Sequence, residues 1–310
     1  MEISSSFRNK SKMVWGILIL NGIAFIALIF AGGSTDPEVL IKFGALSSSL
    51  VAGGEYWRLI TCIFLHVNLV HLGVNAFSLF IFGPTAELFF GRIKFLAIYL
   101  IAGIGGSATS YVFIDPRSIG VGASGAVFGV LGAIAAYYYL NQHLYGKYGR
   151  GMIMGIGVIV LLNLGFGFTV EGVDNWAHIG GLLFGILGAF ALQKHKSEIG
   201  FGVLGVYFFR IIGVVIILVA FLVFMPRDNP GNNFSKAQSL FEEQKYELSI
   251  KEIEQIIDNN PDWGQAYLLK GKILSEYINK AAGKDDLIQA VRLGDKSTRA
   301  EAIKLLSSQN

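Results

Sequence analysis

Seven apolar segments, each about as long as a membrane-spanning helix, constrain this 310-residue chain more than any other feature. A helix needs about 20 mostly apolar residues to cross the hydrocarbon core, where every backbone polar group has to be bonded internally. The sequence therefore predicts an all-α protein that crosses the bilayer several times. AGGS follows the first segment and would suit a signal peptide, but the segment's length favours a retained helix. The segments cover residues 13–32, 59–82, 95–114, 119–141, 151–170, 175–193 and 204–225.

Charge is distributed unevenly along the chain. The composition is 53% hydrophobic and only 15% charged, whereas a soluble globular protein is about a quarter charged. Residues 227–310 hold 12 of the 25 Lys and Arg and 13 of the 22 Asp and Glu. We therefore predict four parts, which are a cytoplasmic segment at 1–12, a six-helix membrane core at 13–200, a seventh transmembrane helix at 201–226 and a soluble domain at 227–310. The net charge of +3 says little about partners, and no basic cluster indicates a nucleic-acid partner.

The connections between the segments predict an orientation. Cytoplasmic loops of membrane proteins carry an excess of Lys and Arg. Nine such residues lie in the N-terminus and in alternate connections, against three in the opposite ones, which places the N-terminus in the cytoplasm and residues 227–310 outside it. The nine are Arg8, Lys10, Lys12, Arg92, Lys94, Lys147, Arg150, Lys194 and Lys196, and the three are Lys42, Arg58 and Arg117.

The stretch GVGASG at residues 120–125 formally spells G-x-G-x-x-G. A dinucleotide-binding turn needs an acidic residue about 20 positions later, but residues 118–146 contain no Asp or Glu. The nucleophile-elbow pattern G-x-S-x-G also fails, because Ala126 occupies its last position. The small residues Gly125, Gly129 and Ala133 instead predict a close helix–helix contact. Ser124 taken alone would be explained by a hydrogen bond to its own helix backbone.

Polar side chains recur in three spans at a similar membrane depth. Ser124 lies near the outer end of the fourth span and His178 near the outer end of the sixth, while the second span contributes His66, His71 and Asn75. The i,i+4 spacing puts His71 and Asn75 on one helix face. Polar groups at membrane depth are costly and tend to mark functional sites.

Helix bridging, metal binding and proton transport are alternative roles for these polar residues. Each residue could bridge two helices by a hydrogen bond. A zinc site is disfavoured because no Cys, Asp or Glu accompanies the histidines at their depth. The single cysteine, Cys62, lies in an apolar segment, so no internal disulfide is possible. A proton-coupled transporter would require carboxylates inside the bundle, and the spans that hold the polar residues have none. A serine, a histidine base and amide or imidazole donors remain, which is the set that acyl transfer requires.

These residues, taken together with the motifs around them, make the sequence resemble the rhomboid family of intramembrane serine proteases over about residues 13–193. The resemblance depends on the order and spacing of several separated motifs rather than on any one of them. The motifs are Glu55-x-Trp57-Arg58, HVNLVHLGVN from His66 to Asn75, Glu87 with Gly91-Arg92, Tyr99 and Gly103, Gly122-Ala123-Ser124-Gly125, and Ala177-His178-x-x-Gly181.

The resemblance implies a role for each matching residue. Ser124 would be the nucleophile and His178 the general base, as a dyad without a third acid. His71, Asn75 and the Ser124 backbone N–H would form the oxyanion hole, and no metal or cofactor is implied. The supporting residues would be His66 near the site, Gly122 leaving room for a substrate backbone, Phe128 packing on the histidine, and Trp57-Arg58 as a structural motif of the first loop. Asp174, four residues before His178, is explained by the start of a helix rather than by a catalytic triad.

The resemblance also implies partners and a location. The substrates would be other membrane proteins with a labile transmembrane helix, and the protein itself would be a multi-pass component of a bacterial cell membrane in contact with lipid. The alternative function is a catalytically silent rhomboid-like protein that binds membrane proteins for quality control.

The soluble part shows an internal repeat. A shift of 34 residues, the tetratricopeptide period, pairs residues at helical spacing. The predicted domain is therefore a small array of tetratricopeptide-like helices that binds an adaptor or client, with an ordinary helical tail as the alternative. The pairs are Ala237 with Gly271, Leu240 with Leu274, Ser249 with Gly283, Ile253 with Leu287, and Ile256 with Ala290.

Overall fold

The computed structural model describes residues 11–52, 54–114, 118–193, 210, 212–214, 217, 230–279 and 281–308. The chain forms two compact units, the first of Met1–Ser47, Tyr56–Ile114 and Ser118–Met225 and the second of Ser48–Glu55, Asp115–Arg117 and Pro226–Asn310. The predicted seventh span lies almost entirely outside the described residues.

Apolar helices dominate the described part of the first unit. Five of them are long and apolar enough to cross a membrane, and α7, at 17 residues, is a shorter apolar helix. The long elements are α1 (Lys12–Phe30), α5 (Leu69–Phe90), α6 (Arg92–Phe113), α7 (Ser124–Leu140), α8 (Gln142–Thr169, which kinks at the non-helical residue Gly146) and α9 (Asn175–Leu192). The short elements of this unit are α2 (Pro37–Lys42), β1 (Leu46–Ser47), α4 (Arg58–Thr61), a 3₁₀ turn (Cys62–Phe64) and β2 (Ile119–Gly120), whereas the short helix α3 (Ser48–Ala52) belongs to the second unit.

Helices α6, α7 and α9 form the centre of this unit. Small residues let their backbones approach closely, as the sequence predicts for the ridge at Gly125 and Gly129. Side chains such as Ile98, Ala133 and Ala189 are buried between them. Helix α8 is mostly exposed, so its apolar side chains would meet lipid.

The second predicted span was wrong at both ends. Its segment, 59–82, is not one helix, because Leu65 is extended and the helix begins only after Asn68. The Asn68 side chain accepts a hydrogen bond from the His71 N–H at 2.8 Å and so caps α5. The helix continues to Phe90, where Gly91 adopts φ 78°, a left-handed conformation suited to glycine, before α6 starts.

A two-stranded pair adds to the predicted all-α architecture. Strands β1 and β2 are antiparallel, with Leu46 opposite Gly120 and Ser47 opposite Ile119. The pair ties the first loop to the segment that leads into α7. Four residues of strand are too few to leave a periodicity that sequence analysis could detect.

A buried carboxylate caps the first transmembrane helix. Glu87, near the end of α5, is 5% exposed and accepts hydrogen bonds from the N–H groups of Val14 at 3.0 Å and Met13 at 3.3 Å. These amides belong to the first turn of α1, where no intrahelical acceptor exists. The contact satisfies two amides and complements the positive end of the helix dipole.

Replacing Glu87 by Ala is expected to lower the free energy of unfolding by about 1.5–3 kcal/mol, since hydrogen bonds to a charged group are lost. Denaturant titration in mild detergent measures the change. The control is Arg92→Ala, whose side chain is half exposed and 3.8 Å from Glu87, with an expected loss of about 0–1 kcal/mol. Equal losses for the two variants would contradict this assignment.

The described residues of the second unit form five helices besides α3, which are α10 (Pro230–Glu242), α11 (Tyr246–Asn259), α12 (Gly264–Ile273), α13 (Lys284–Leu293) and α14 (Lys296–Ser307), with a π-helical turn at Leu274–Ile278. Helices α10 and α12 start 34 residues apart, and α11 and α13 end 34 residues apart. Ser249 donates to the Ala237 carbonyl at 2.7 Å, and the residues paired with them by the shift, Gly283 and Gly271, also pack together. The tetratricopeptide assignment stays a prediction.

Candidate active site

Ser124 begins helix α7, at the end of a segment held on two sides. Strand β2 pairs with β1, and the Gly122 N–H donates to the Cys62 carbonyl at 2.9 Å. Gly122 has φ +130°, a conformation that L side chains rarely adopt, so a glycine is required to make this turn. The N–H groups of the first helical turn have no intrahelical acceptor and form the positive end of the helix dipole.

His178 lies in the first turn of helix α9. Its N–H donates to the Asp174 carbonyl at 3.2 Å, and its side chain is 7% exposed. The imidazole stacks on Phe128 with ring centroids 4.2 Å apart and planes 3° from parallel. Phe128 lies one turn beyond Ser124 on α7, so this stacking places the imidazole beside the start of that helix.

Glycine contacts bring the two helices together. A methyl group on Gly125 would lie 3.0 Å from the Ala177 carbonyl oxygen, and one on Gly181 would lie 2.8 Å from the Gly125 Cα. Because Gly125 follows Ser124 and Ala177 precedes His178, the contact brings the two predicted catalytic residues onto facing turns.

His71 and Asn75 face the segment before Ser124. A methyl group on Gly122 would lie 2.7 Å from His71 Nε2 and 3.8 Å from Asn75 Nδ2. One amide hydrogen of Asn75 bonds the His71 carbonyl at 3.1 Å, and an amide has a second hydrogen to donate. The structure therefore groups the His71 and Asn75 side chains with the start of α7.

His66 and the Trp57-Arg58 motif lie around this group. The His66 ring is fully buried and meets His71 edge to face, with centroids 5.1 Å apart. Arg58 is 5% exposed and donates to the carbonyls of Ile41 at 2.7 Å and Ala45 at 3.1 Å, and its guanidinium lies 4.5 Å from the Trp57 ring centre. Arg58 thus holds the first loop in place, because Ile41 lies in α2 and Ala45 directly precedes β1.

Two geometrical facts bear on the chemistry. Within the described residues, no direct hydrogen bond joins Ser124 to His178, whose Nδ1 is buried without a partner, and such contacts in unliganded enzymes are often long and tighten when substrate binds. No group of three or more His, Cys, Asp or Glu in the described part of the chain is arranged to hold a metal ion. The arrangement provides a hydroxyl, a neighbouring imidazole and amide donors, which together suit acyl transfer.

Sequence reasoning missed one feature of this site. Asp174 was expected only as a helix-start residue, and its Oδ1 does accept from the Ala177 N–H at 2.9 Å. Its other oxygen accepts the Ser110 hydroxyl of α6. Burial raises the pKa of the Asp174 carboxyl, while the Ser110 hydroxyl and the amides of Ala177 and Trp176 act to lower it. A contact between residues 64 positions apart leaves no local sequence signal.

Fold and site together define a class: a multi-pass helical membrane protein with a serine and a histidine on facing glycine-lined helix turns. A rhomboid-domain family model matches residues 53–195. Putative rhomboid protease YdcA of Bacillus subtilis (strain 168) is 36% identical over 148 residues, which cover 48% of this chain and 73% of that protein. The chain belongs to the rhomboid family.

Two further relatives extend the comparison. Rhomboid protease GluP of Bacillus subtilis (strain 168) is 38% identical over 245 residues, which cover 78% of this chain and 46% of that protein. RHOMBOID-like protein 6, mitochondrial, of Arabidopsis thaliana is 43% identical over 170 residues, or 54% of each chain. The chain thus spans about half the length of these two relatives.

Proposed function

We propose that this protein is an intramembrane serine endopeptidase that cleaves transmembrane segments of other membrane proteins. The observation that carries the proposal is the packing of the α7 start on the first turn of α9, with Phe128 stacked on His178. The relatives GluP, named a rhomboid protease, and YdcA, named a putative rhomboid protease, support hydrolysis of a peptide bond as the chemistry.

Acylation uses Ser124 and His178 as one unit. The Ser124 hydroxyl attacks the carbonyl carbon of the scissile bond while the His178 imidazole accepts its proton. The resulting oxyanion is stabilised by the Ser124 N–H, His71 and Asn75, donors that are already in place before the charge develops. When the C–N bond breaks, His178 gives the proton to the leaving amine and the acyl group stays on Ser124 as an ester.

Deacylation returns the enzyme to its starting state. His178 takes a proton from a water molecule, whose oxygen attacks the ester carbonyl. When this second intermediate collapses, the bond between the carbonyl carbon and the Ser124 oxygen breaks, His178 gives its proton back to that oxygen, and the product leaves with a new carboxyl group. Water must therefore reach a site walled by apolar helices, so we propose that the site opens toward the outer face of the membrane.

The proposed substrates are membrane proteins with a transmembrane helix that unwinds readily. In lipid the backbone of a helix is bonded internally, so its carbonyl groups are unavailable until a turn opens. Helix-breaking residues lower the cost of that opening.

A serine-directed fluorophosphonate tests the proposal directly. Labelling is expected in the wild type and absent in Ser124→Ala, because the reagent reports an activated hydroxyl. Ser78→Ala, which removes another serine from the membrane helices, is the control and should label normally. No labelling of the folded wild type would instead support the silent, client-binding alternative.

The proposed orientation has a cytoplasmic N-terminus and an extracytoplasmic domain at 227–310, on the charge pattern of the loops. A cysteine introduced as Ser239→Cys is expected to react with a membrane-impermeant maleimide in intact cells, whereas Lys196→Cys should react only after lysis. The native thiol of Cys62 is buried and gives little background. The reverse labelling pattern would invert the orientation and the side of cleavage.

We propose that the domain at 227–310 binds adaptors or clients rather than taking part in catalysis. Its described residues contain no serine or cysteine paired with a histidine base, because all five histidines precede residue 227. Deleting residues 229–310 is expected to leave kcat for a model membrane substrate in detergent within about threefold and to slow processing of a native client in cells. Complete loss of activity in a folded, truncated protein would make the domain part of the catalytic unit.

A further inference from the structure

Asp174 connects two helices through one carboxylate. Its Oδ1 caps the first turn of α9 by accepting from the Ala177 N–H at 2.9 Å, and its Oδ2 accepts the hydroxyl of Ser110, near the end of α6. Ser110 is fully buried. The carboxylate therefore fixes the start of α9 relative to α6, not only the capping geometry of α9 itself.

The helices near this connection are packed too closely to tolerate a shift. A methyl group on Gly106 would lie 2.7 Å from the Ala177 carbonyl, and one on Gly180 would lie 2.9 Å from the Gly105 carbonyl. A small translation or rotation of α9 would have to move α6 as well. The position of the first turn of α9 thus depends on how closely it packs on α6.

His178 has little else to orient it. Its Nδ1 is buried and has no hydrogen-bond partner among the described residues, and its ring is positioned by the stack on Phe128 and by the backbone. Both Asp174 oxygens are engaged elsewhere, by Ala177 and by Ser110. The carboxylate is therefore not placed to act as the third acid of a triad.

We propose that Asp174 is a positioning residue for His178, acting through Ser110 and the Ala177 amide rather than through the imidazole. This inference depends on the proposed function, because the position of His178 affects the rate only if His178 is the general base. A misplacement of about 1 Å in a catalytic group can cost on the order of 10²-fold in rate. Asp174 would hold the imidazole against Phe128 and within reach of Ser124.

Conservative and truncating variants separate positioning from direct catalysis. Asp174→Ala is expected to lower kcat by about 10–10²-fold with KM nearly unchanged. Asp174→Asn should recover most of that loss, since asparagine is also a good N-cap and its amide can donate to the Ser110 oxygen. Ser110→Ala should lower kcat by less than Asp174→Ala does, and the double variant should have the same kcat as Asp174→Ala alone. The matched control is Asp295→Ala, which removes an equivalent cap from α14, where Asp295 accepts the Thr298 N–H at 2.8 Å.

A second measurement reports position without relying on activity. Because Phe128 stacks on His178, the ring current of Phe128 is expected to shift the NMR signals of the His178 ring protons. In histidine-labelled protein, the signals that disappear in His178→Ala are those of His178. These signals are expected to move toward their unstacked values in Asp174→Ala and to stay in place in Asp174→Asn and Asp295→Ala.

Each outcome decides between distinct failures. Unmoved His178 signals in Asp174→Ala would overturn the positioning role whether or not the protein cleaves anything. If Asp174→Asn lowers kcat as much as His178→Ala does, Asp174 is the acid of a catalytic triad, and the positioning role is overturned. The His178 signals could move in Asp174→Ala although the wild-type protein neither cleaves a substrate nor reacts with the fluorophosphonate. That result would support the positioning role of Asp174 and refute only the proposed function.

Discussion

Ser124→Ala and His178→Ala are each expected to abolish cleavage of a transmembrane substrate, and the double variant should be no less active than either single one. Groups that act as one nucleophilic unit are strongly non-additive, since removing either already disables the other. Turnover of a fluorescent model substrate by purified protein in liposomes measures the effect. The expected loss of kcat is on the order of 10⁶-fold, as found for nucleophile–base pairs.

A control is needed because Ser124 and His178 also lie at a helix contact. Each variant is therefore compared with Phe128→Leu, which removes the ring stacked on His178 but keeps both reacting groups. Phe128→Leu should retain measurable turnover. Unchanged proteolysis in a membrane-inserted Ser124→Ala protein would falsify the mechanism and leave GVGASG as a helix-packing ridge.

The membrane helices could be predicted from the sequence where the apolar segment has nearly the same ends as the helix. The third span was predicted at 95–114 and the sixth at 175–193, against Arg92–Phe113 and Asn175–Leu192 in the structure. The second span failed because the extended segment before Asn68 is itself apolar, and hydropathy does not distinguish an apolar turn from a helix. Asn68 could have indicated the true start of the helix, because asparagine is a common N-cap residue and Asn68 lies three residues before His71, whose N–H it caps.

The members of the candidate site could be predicted, but most of their mutual contacts could not. The motifs single out Ser124, His178, His71 and Asn75, and the structure places all four near the start of α7. The bonds that hold them there join distant parts of the chain, such as Cys62 to Gly122 and Ser110 to Asp174. These depend on how three helices pack, which no local pattern determines.

Asn75→Ala is expected to slow turnover by about 10²–10³-fold while leaving KM nearly unchanged, because an oxyanion donor acts mainly in the transition state. Steady-state kinetics on the model substrate separate the two parameters. Asn75 Nδ2 also bonds the His71 carbonyl one turn earlier at 3.1 Å, so truncation removes a helix contact as well as a donor.

Asn163 supplies the matched control for that second effect. Its Nδ2 bonds the Ile159 carbonyl one turn earlier at 2.8 Å on α8, but its side chain is exposed and it is not among the residues grouped at the start of α7. Asn163→Ala therefore loses the same kind of intrahelical bond and should keep kcat within about twofold, because the oxyanion donors remain in place. If both variants lose kcat equally, the effect of Asn75 is structural and the oxyanion role is refuted. If only Asn75→Ala loses it, the difference between the two measures what the donor contributes to the transition state.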